Sequence, residues 1–136
     1  MLVTNLYAPI GFDDAKITFF NDIFELIGNY DCDIIIGGDF NVTLGANEWH
    51  CRGVTQGENE VATLIKDYLA LLDLTDTWSN IQGHTWRMGK ILSRLDRILT
   101  RLGNYDFVDL KTDRSLINSD HAAVIVALKH KTRATN

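Results

Sequence analysis

A chain of 136 residues with 46% hydrophobic and 23% charged side chains has the length of one small domain and the composition of a folded one. Its apolar runs fall far short of the roughly 20 residues that span a bilayer, and Met1-Leu2-Val3-Thr4-Asn5 lacks the basic and apolar regions of a secretory leader, so an intracellular protein without a membrane partner is expected. The net charge of −5 argues against a nucleic-acid partner only as an average: residues 1–60 hold ten acidic against two basic side chains, and residues 61–136 hold eight against eleven.

Leu2 to Tyr7 reads as a strand that stops at Ala8-Pro9. Asp13 or Asp14 caps a helix whose apolar positions Ile17, Phe20, Phe24 and Ile27 recur at three or four, with Gly28-Asn29 as its stop. Ile34-Ile35-Ile36 is a buried strand ended by Gly37-Gly38. Asn41 to Glu58 has no period and is expected to be a long functional loop. From about Glu60 to Leu72, the stripe Val61, Leu64, Ile65, Tyr68, Leu69 and Leu72 predicts an amphipathic helix. Short strands follow at Asp76–Ser79, Thr85–Trp86, Leu92–Leu99, Asp106–Lys111 and Ala122–Leu128, separated by Gly83, Gly89, Gly103-Asn104 and Asn118-Ser119. Lys129 to Asn136 reads as a polar tail. The order of elements is that of an α+β or mixed α/β domain.

Cys32 and Cys51 fit no CxxC spacing, which favours two reduced thiols over a disulfide framework or a zinc ribbon. Arg87, Lys90, Arg94, Arg97 and Arg101 crowd one stretch opposed by Asp96 alone. The stretch is either a phosphate-facing patch or, favoured on charge alone, a solvated basic strand edge.

Three clusters set carboxylates beside strand ends: Gly37-Gly38-Asp39-Phe40-Asn41, Ser93-Arg94-Leu95-Asp96-Arg97 and Ser119-Asp120-His121. Asp39 and Asn41 are two apart, so an extended chain sends both to one face and Phe40 to the core. The pair suits either the holding of a water, phosphoryl oxygen or metal, or an Asx-turn that ends a buried strand. Asp96 is either half of an exposed cross-strand pair with Arg94 or Arg97, or the carboxylate that orients His121 as a base or phosphate clamp.

Asn5-Leu6-Tyr7-Ala8-Pro9, Gly38-Asp39-Phe40-Asn41, Ser93-Arg94-Leu95-Asp96-Arg97 and Ser119-Asp120-His121, in that order, resemble the endonuclease/exonuclease/phosphatase superfamily. The nearest resemblance is to the apurinic-endonuclease-like endonuclease domain of LINE-type (non-LTR) retrotransposons. His84-Thr85-Trp86 also resembles the family's Thr/Ser-aromatic strand. The resemblance implies a four-layer α/β sandwich and a metal-dependent phosphodiesterase that nicks DNA. It implies that Tyr7 lies beside the scissile phosphate, that Asp39 orients or deprotonates the attacking water, and that Asn41 binds the phosphate or that water. It further implies that Asp96 orients His121, which stabilises the transition state or assists proton transfer. Asp120 would help hold Mg²⁺ or Mn²⁺, and Thr85 would support the phosphate or the catalytic network. Trp86, Arg87, Arg94 and Arg97 would contact DNA.

The resemblance covers only the second half of the family's domain, so residues 1–129 are expected to be the C-terminal part of a truncated domain and residues 130–136 a polar tail. The family's main metal-ligating glutamate and an early asparagine have no counterpart here. Impaired catalysis, open strand edges and self-association, or a missing N-terminal half, are the expected consequences. A reverse transcriptase domain in a longer polyprotein and a nuclear setting would follow from a retrotransposon origin. The alternatives are a non-catalytic remnant, a nucleic-acid-binding fragment, or a small-molecule phosphoesterase of the same superfamily.

Overall fold

The structure is a computed structural model that describes residues 1–78 and 82–132. Strand β1 (Leu2–Tyr7) leads into helix α1 (Asp14–Ile27), strand β2 (Ile34–Asp39) and, after a single 3-10 turn at Ala46–Glu48, the short strand β3 (Trp49–His50). Helix α2 (Gln56–Leu71) and the two-residue strand β4 (Thr75–Asp76) follow. The remainder is strand: β5 (Trp86–Met88), β6 (Ile91–Ser93), β7 (Asp96–Arg101), β8 (Tyr105–Asp113) and β9 (Ala123–His130).

The central sheet has the order β1-β2-β7-β4, with β1 and β2 parallel and the other pairs antiparallel. Both helices cover one face of it. Leu6, Ile34, Ile36 and Leu99 from the strands close against Phe20, Phe24 and Ile27 of α1 and Val61 and Ile65 of α2. Phe40, just past β2, stacks on Phe20 with ring centroids 5.8 Å apart and is fully buried, as the two-residue alternation requires. The antiparallel β3-β6-β5 sheet and the β8-β9 hairpin complete a mixed α+β architecture. The hairpin is tied to the start of β2 by the Asp33 carboxylate, which accepts hydrogen bonds from the backbone N–H groups of Gly103 and Asn104 and from the Asn104 side chain.

Local chemistry moves several boundaries from their sequence expectation. Helix α2 begins at Gln56, ahead of the expected start at Glu60, because the Thr55 hydroxyl caps it by accepting from the Glu58 N–H. The expected strand Leu92–Leu99 is two strands. Its chain changes sheets at Arg94-Leu95, where the Arg94 N–H donates to the Glu48 carbonyl and the Leu95 carbonyl accepts from the Phe40 N–H. β4 ends at Asp76, since that carboxylate folds back to accept from the Trp78 N–H; Ser79 lies outside the described residues. β9 runs through Lys129 and His130, into the stretch expected as a tail, because both are paired with β8.

Gly38 lets β1 and β2 meet. Its φ is +142°, and a Cβ built there would stand 1.9 Å from the Leu6 carbonyl oxygen of the paired strand. β1 has no partner on its far side among the described strands, and Val3 and Tyr7 on it are 67% and 69% exposed. Cys32 and Cys51 are free and exposed, and among the described residues no helix is long and apolar enough to cross a membrane.

Candidate active site

Register across the central sheet builds the first row of the site. Tyr7 pairs with Asp39, and Asp39 pairs with Asp96, so these residues of β1, β2 and β7 lie side by side. Paired residues share a face; the preceding row, Leu6 and Gly38, lies on the helix-covered face, so the three project to the opposite side.

Beyond Asp39 the chain turns sharply. Asn41 has a φ of +48°, in the left-handed region, and its N–H donates to Asp39 Oδ1 at 2.8 Å. This is an Asx-turn, one of the two sequence alternatives for this pair. The Asn41 side chain donates from Nδ2 to the Ala8 carbonyl at 2.8 Å, and the Asn41 backbone carbonyl accepts from Lys16 Nζ at 2.5 Å.

His121 comes from outside the sheet. It bridges to Trp86, while Ala122 N–H donates to the Thr85 carbonyl and Arg87 N–H to the Asp120 carbonyl, so β5 fixes the segment in front of β9. Its Nδ1 is 2.7 Å from Asp96 Oδ2, and its Nε2 is 3.8 Å from Asp39 Oδ2. Burial works against a charged ring here, but the hydrogen bond and charge of Asp96, aided by Asp39 and Asp120, prevail and raise the His121 pKa above the usual imidazole value. Asp39 is pushed up as well, by burial first and by the charge of Asp96, against the hydrogen bond from the Asn41 N–H. Thr85 is fully buried, and its hydroxyl accepts from the N–H groups of Leu95 and Asp96.

Tyr7, Asp39, Asn41 and His121 open onto a cleft of about 450 Å³ whose walls also include Phe12, Arg52, Trp86 and Asp120. Asp39, Asp96 and His121 offer ligand atoms that all lie within 4.8 Å of one another. The two crowded carboxylates of that group fit a small divalent cation, whose charge would offset the burial and the Asp96 repulsion that raise Asp39. Asp120, the expected metal ligand, is not part of this set. Its carboxylate is exposed and accepts from the Trp86 indole N–H at 2.9 Å, which holds it below the ordinary carboxylate range.

The expectation that Arg94 and Arg97 contact DNA is overturned. Arg97 is 0% exposed and paired with Glu48 at 2.7 Å and with Asp76. Arg94 is 3% exposed, with its guanidinium 4.3 Å from the Trp78 ring and bonded to Glu48 and the Gly83 carbonyl. Both face inward because Glu48 supplies a buried counter-charge, which also holds the Leu44 N–H. The basic stretch is therefore neither a continuous patch nor a solvated edge: Arg87 and Lys90 are exposed at the β5-β6 turn, and Arg101 binds the carbonyls of Leu72 and Tyr30.

Two residues outside the sequence motifs brace the site. Arg52 donates to Glu58, Thr43 and Ser93, bracing one wall. Lys16 lies beneath the Asn41 turn, and its spacing carried a signal: it sits four positions before Phe20 on the buried stripe of α1.

No family model matches the sequence, and no curated protein matches it. Among solved structures, the chain is similar to a 3′ phosphatase from Neisseria bound to a product DNA hairpin, with a TM-score of 0.65 at 19% identity, over 92% of this chain and 60% of that one. It is similar to a 3′–5′ exonuclease from Neisseria meningitidis, with a TM-score of 0.63 at 20% identity, over 90% of this chain and 59% of that one. It is also similar to the endonuclease domain of TRAS1, a telomere-specific non-LTR retrotransposon, with a TM-score of 0.54 at 18% identity, over 94% of this chain and 56% of that one. The chain has the fold of these structures. It spans about 60% of the length of the first two.

Proposed function

We propose that this chain carries the C-terminal part of a phosphodiester-cleaving site that nicks DNA, as the endonuclease of a retrotransposon-like element. The observation that carries the reading is the placement of His121 between Asp96 at 2.7 Å and Asp39 at 3.8 Å, in a cleft shared with Asn41. Hydrolysis of a phosphodiester needs a water held in line, charge stabilisation on the phosphoryl oxygens and a proton for the departing alkoxide. Asp39 orients and deprotonates that water. Asn41 spends one amide hydrogen on Ala8 and keeps the other, with its Oδ1, for the phosphate or the water. His121, protonated because of Asp96, places positive charge against the reacting phosphate. Tyr7 flanks the phosphate from the neighbouring strand.

Asp39 and Asp96 would hold a Mg²⁺ or Mn²⁺ ion, with the exposed Asp120 on the rim of the same cleft. Such an ion supplies Lewis-acid neutralisation of the phosphate oxygens. A polynucleotide is favoured over a small phosphoester by the exposed Arg87 and Lys90 beside Trp86 at the edge of the cleft. Two of the structural neighbours are a nuclease and an enzyme bound to DNA, which supports the same substrate class.

Conversion of supercoiled plasmid to open circles in Mg²⁺ or Mn²⁺ tests the proposal. Without a counterpart of the family's main metal-ligating glutamate the chain should nick slowly, and Asp39→Ala and His121→Ala should each abolish that nicking. Nicking no faster than the Asp39→Ala background would sink the enzyme reading and leave a binding remnant.

A further inference from the structure

Lys16 is 0% exposed, on the face of α1 that also buries Phe20, Phe24 and Ile27. A lysine so placed normally meets a carboxylate, because burying its charge alone is costly. Among the described residues Lys16 makes no ion pair. Its Nζ instead donates to the Asn41 carbonyl at 2.5 Å and lies 4.2 Å from the centroid of the Phe12 ring.

We propose that Lys16 is a positioning residue of the cleft, whose ammonium group holds the Asn41 carbonyl inward and so fixes the left-handed turn that presents Asp39 and Asn41. This assignment rests on the phosphodiesterase reading given above. A φ of +48° is unfavourable for a residue with a side chain, so the turn persists only where its surroundings determine it. Three tethers do so. Asp39 Oδ1 takes the Asn41 N–H, the Ala8 carbonyl takes the Asn41 side-chain amide, and Lys16 takes the carbonyl. Asp39 and Ala8 themselves line up with the site or lead away from it, whereas Lys16 comes from the rigid helix beneath.

An apolar side chain at this position would fill the space and leave the Asn41 carbonyl without its partner. It would also remove a cation that acts on both Asp39 and Glu58. Burial brings the ammonium from 10.5 to about 8, against the attraction of Glu58, Asp39 and Asp13, so it remains largely charged at neutral pH. The sequence thus keeps a charged group in its core at the one point where it touches the catalytic turn.

The test combines nuclear magnetic resonance on the full chain with kinetics on a labelled duplex in Mn²⁺. The unaltered protein should show a scalar coupling between the Lys16 side-chain nitrogen and the Asn41 carbonyl carbon. Lys16→Met should stay folded yet move the Asn41 amide resonances. Its kcat should fall on the order of 100-fold with KM nearly constant, the effect of a misplaced reacting group. Lys16→Arg should restore most of that loss. A missing coupling, or a folded Lys16→Met with unmoved Asn41 resonances and unchanged kcat, would overturn the assignment. If Lys16→Met does not fold, the coupling in the unaltered chain decides. A chain that shows the coupling but cleaves nothing retires the phosphodiesterase reading and keeps Lys16 as the anchor of the turn.

Discussion

Asp39 and Asp96 are directly paired residues on adjacent antiparallel strands, so their carboxylates lie side by side on one face of the sheet. Burial raises the Asp39 pKa first, and the opposed Asp96 charge, of a kind that destabilises a sheet, adds to it. The folded state therefore binds the Asp39 proton more tightly than the unfolded chain does. An acid raised in this way lowers stability as pH climbs from the ordinary carboxylate value of about 3.9 through the folded value. Asp39→Asn keeps an oxygen for the Asn41 N–H and removes the charge. It should melt on the order of a few degrees higher than the unaltered chain at pH 7, while nicking is lost. The difference should close as pH falls below about 4. A variant that melts lower at pH 7 would show the charge to be stabilising.

His121 carries the opposite sign. Its pKa is raised, against the cost of burial, chiefly by Asp96. The stability that the charged ring contributes is complete below about 6.5, the unfolded value, and is lost as pH rises through the folded value. Asp96→Asn should lower the His121 titration midpoint, followed by ring proton shifts, and flatten the stability profile just above neutrality. If the protonated ring serves the reaction, the alkaline limb of the cleavage profile moves to lower pH by the same amount. An unmoved midpoint would remove Asp96 as the source.

Which parts of this site were legible in the sequence follows from their range in the chain. The alternation of a strand already sends Asp39 and Phe40 to opposite faces, and the same rule sends Asp96 toward the cleft and Arg97 toward the helices. The motif residues Tyr7, Asp39, Asn41 and His121 line one cleft. What the rule does not supply is the partner that makes a buried arginine tolerable. Glu48 is 49 positions from Arg97 and Asp76 is 21, and neither has a spacing that announces the contact. With that counter-charge hidden, a run of arginines reads as surface. The break at Arg94-Leu95 was invisible for the same reason, since it depends on hydrogen bonds to Glu48, Phe40 and Thr85 from three other segments.

The two kinds of arginine should therefore behave differently. Arg97→Met leaves Asp76 without its ion-pair partner and Glu48 with Arg94 alone, and breaking such a buried pair costs about 3–5 kcal/mol. The expected outcome is an unfolded or poorly soluble chain in a urea titration, rather than a folded one with weaker DNA binding. Arg87 is exposed, with a side-chain hydrogen bond to the Gly89 carbonyl. Arg87→Ala should leave the melt unchanged and weaken duplex binding for all sequences. The slope of log K against log salt should shrink by about one. A folded Arg97→Met with a reduced salt slope would restore Arg97 to the surface.

Gly38 ties the fold to the chemistry through one close approach. An added Cβ would meet Leu6 O at 1.9 Å and Leu6 N at 2.9 Å, all backbone atoms of the paired strand, and the φ of +142° is itself unsuited to a side chain. Only movement of β1 away from β2 could relieve the contact. That movement would carry off Tyr7 and Ala8, and with Ala8 the carbonyl that holds the Asn41 amide. Gly38→Ala should accordingly cost at least about 3 kcal/mol, the range reached when strain and steric overlap combine. Neighbouring Gly37 is the control: a Cβ there would meet only Ile98 Cγ1, at an ordinary 3.6 Å. Gly37→Ala should stay within about 1 kcal/mol of the unaltered chain in urea melts and still nick DNA. Equal stability of the two variants would mean that β1 and β2 are not held at this separation, and the row of Tyr7, Asp39 and Asp96 would lose its basis.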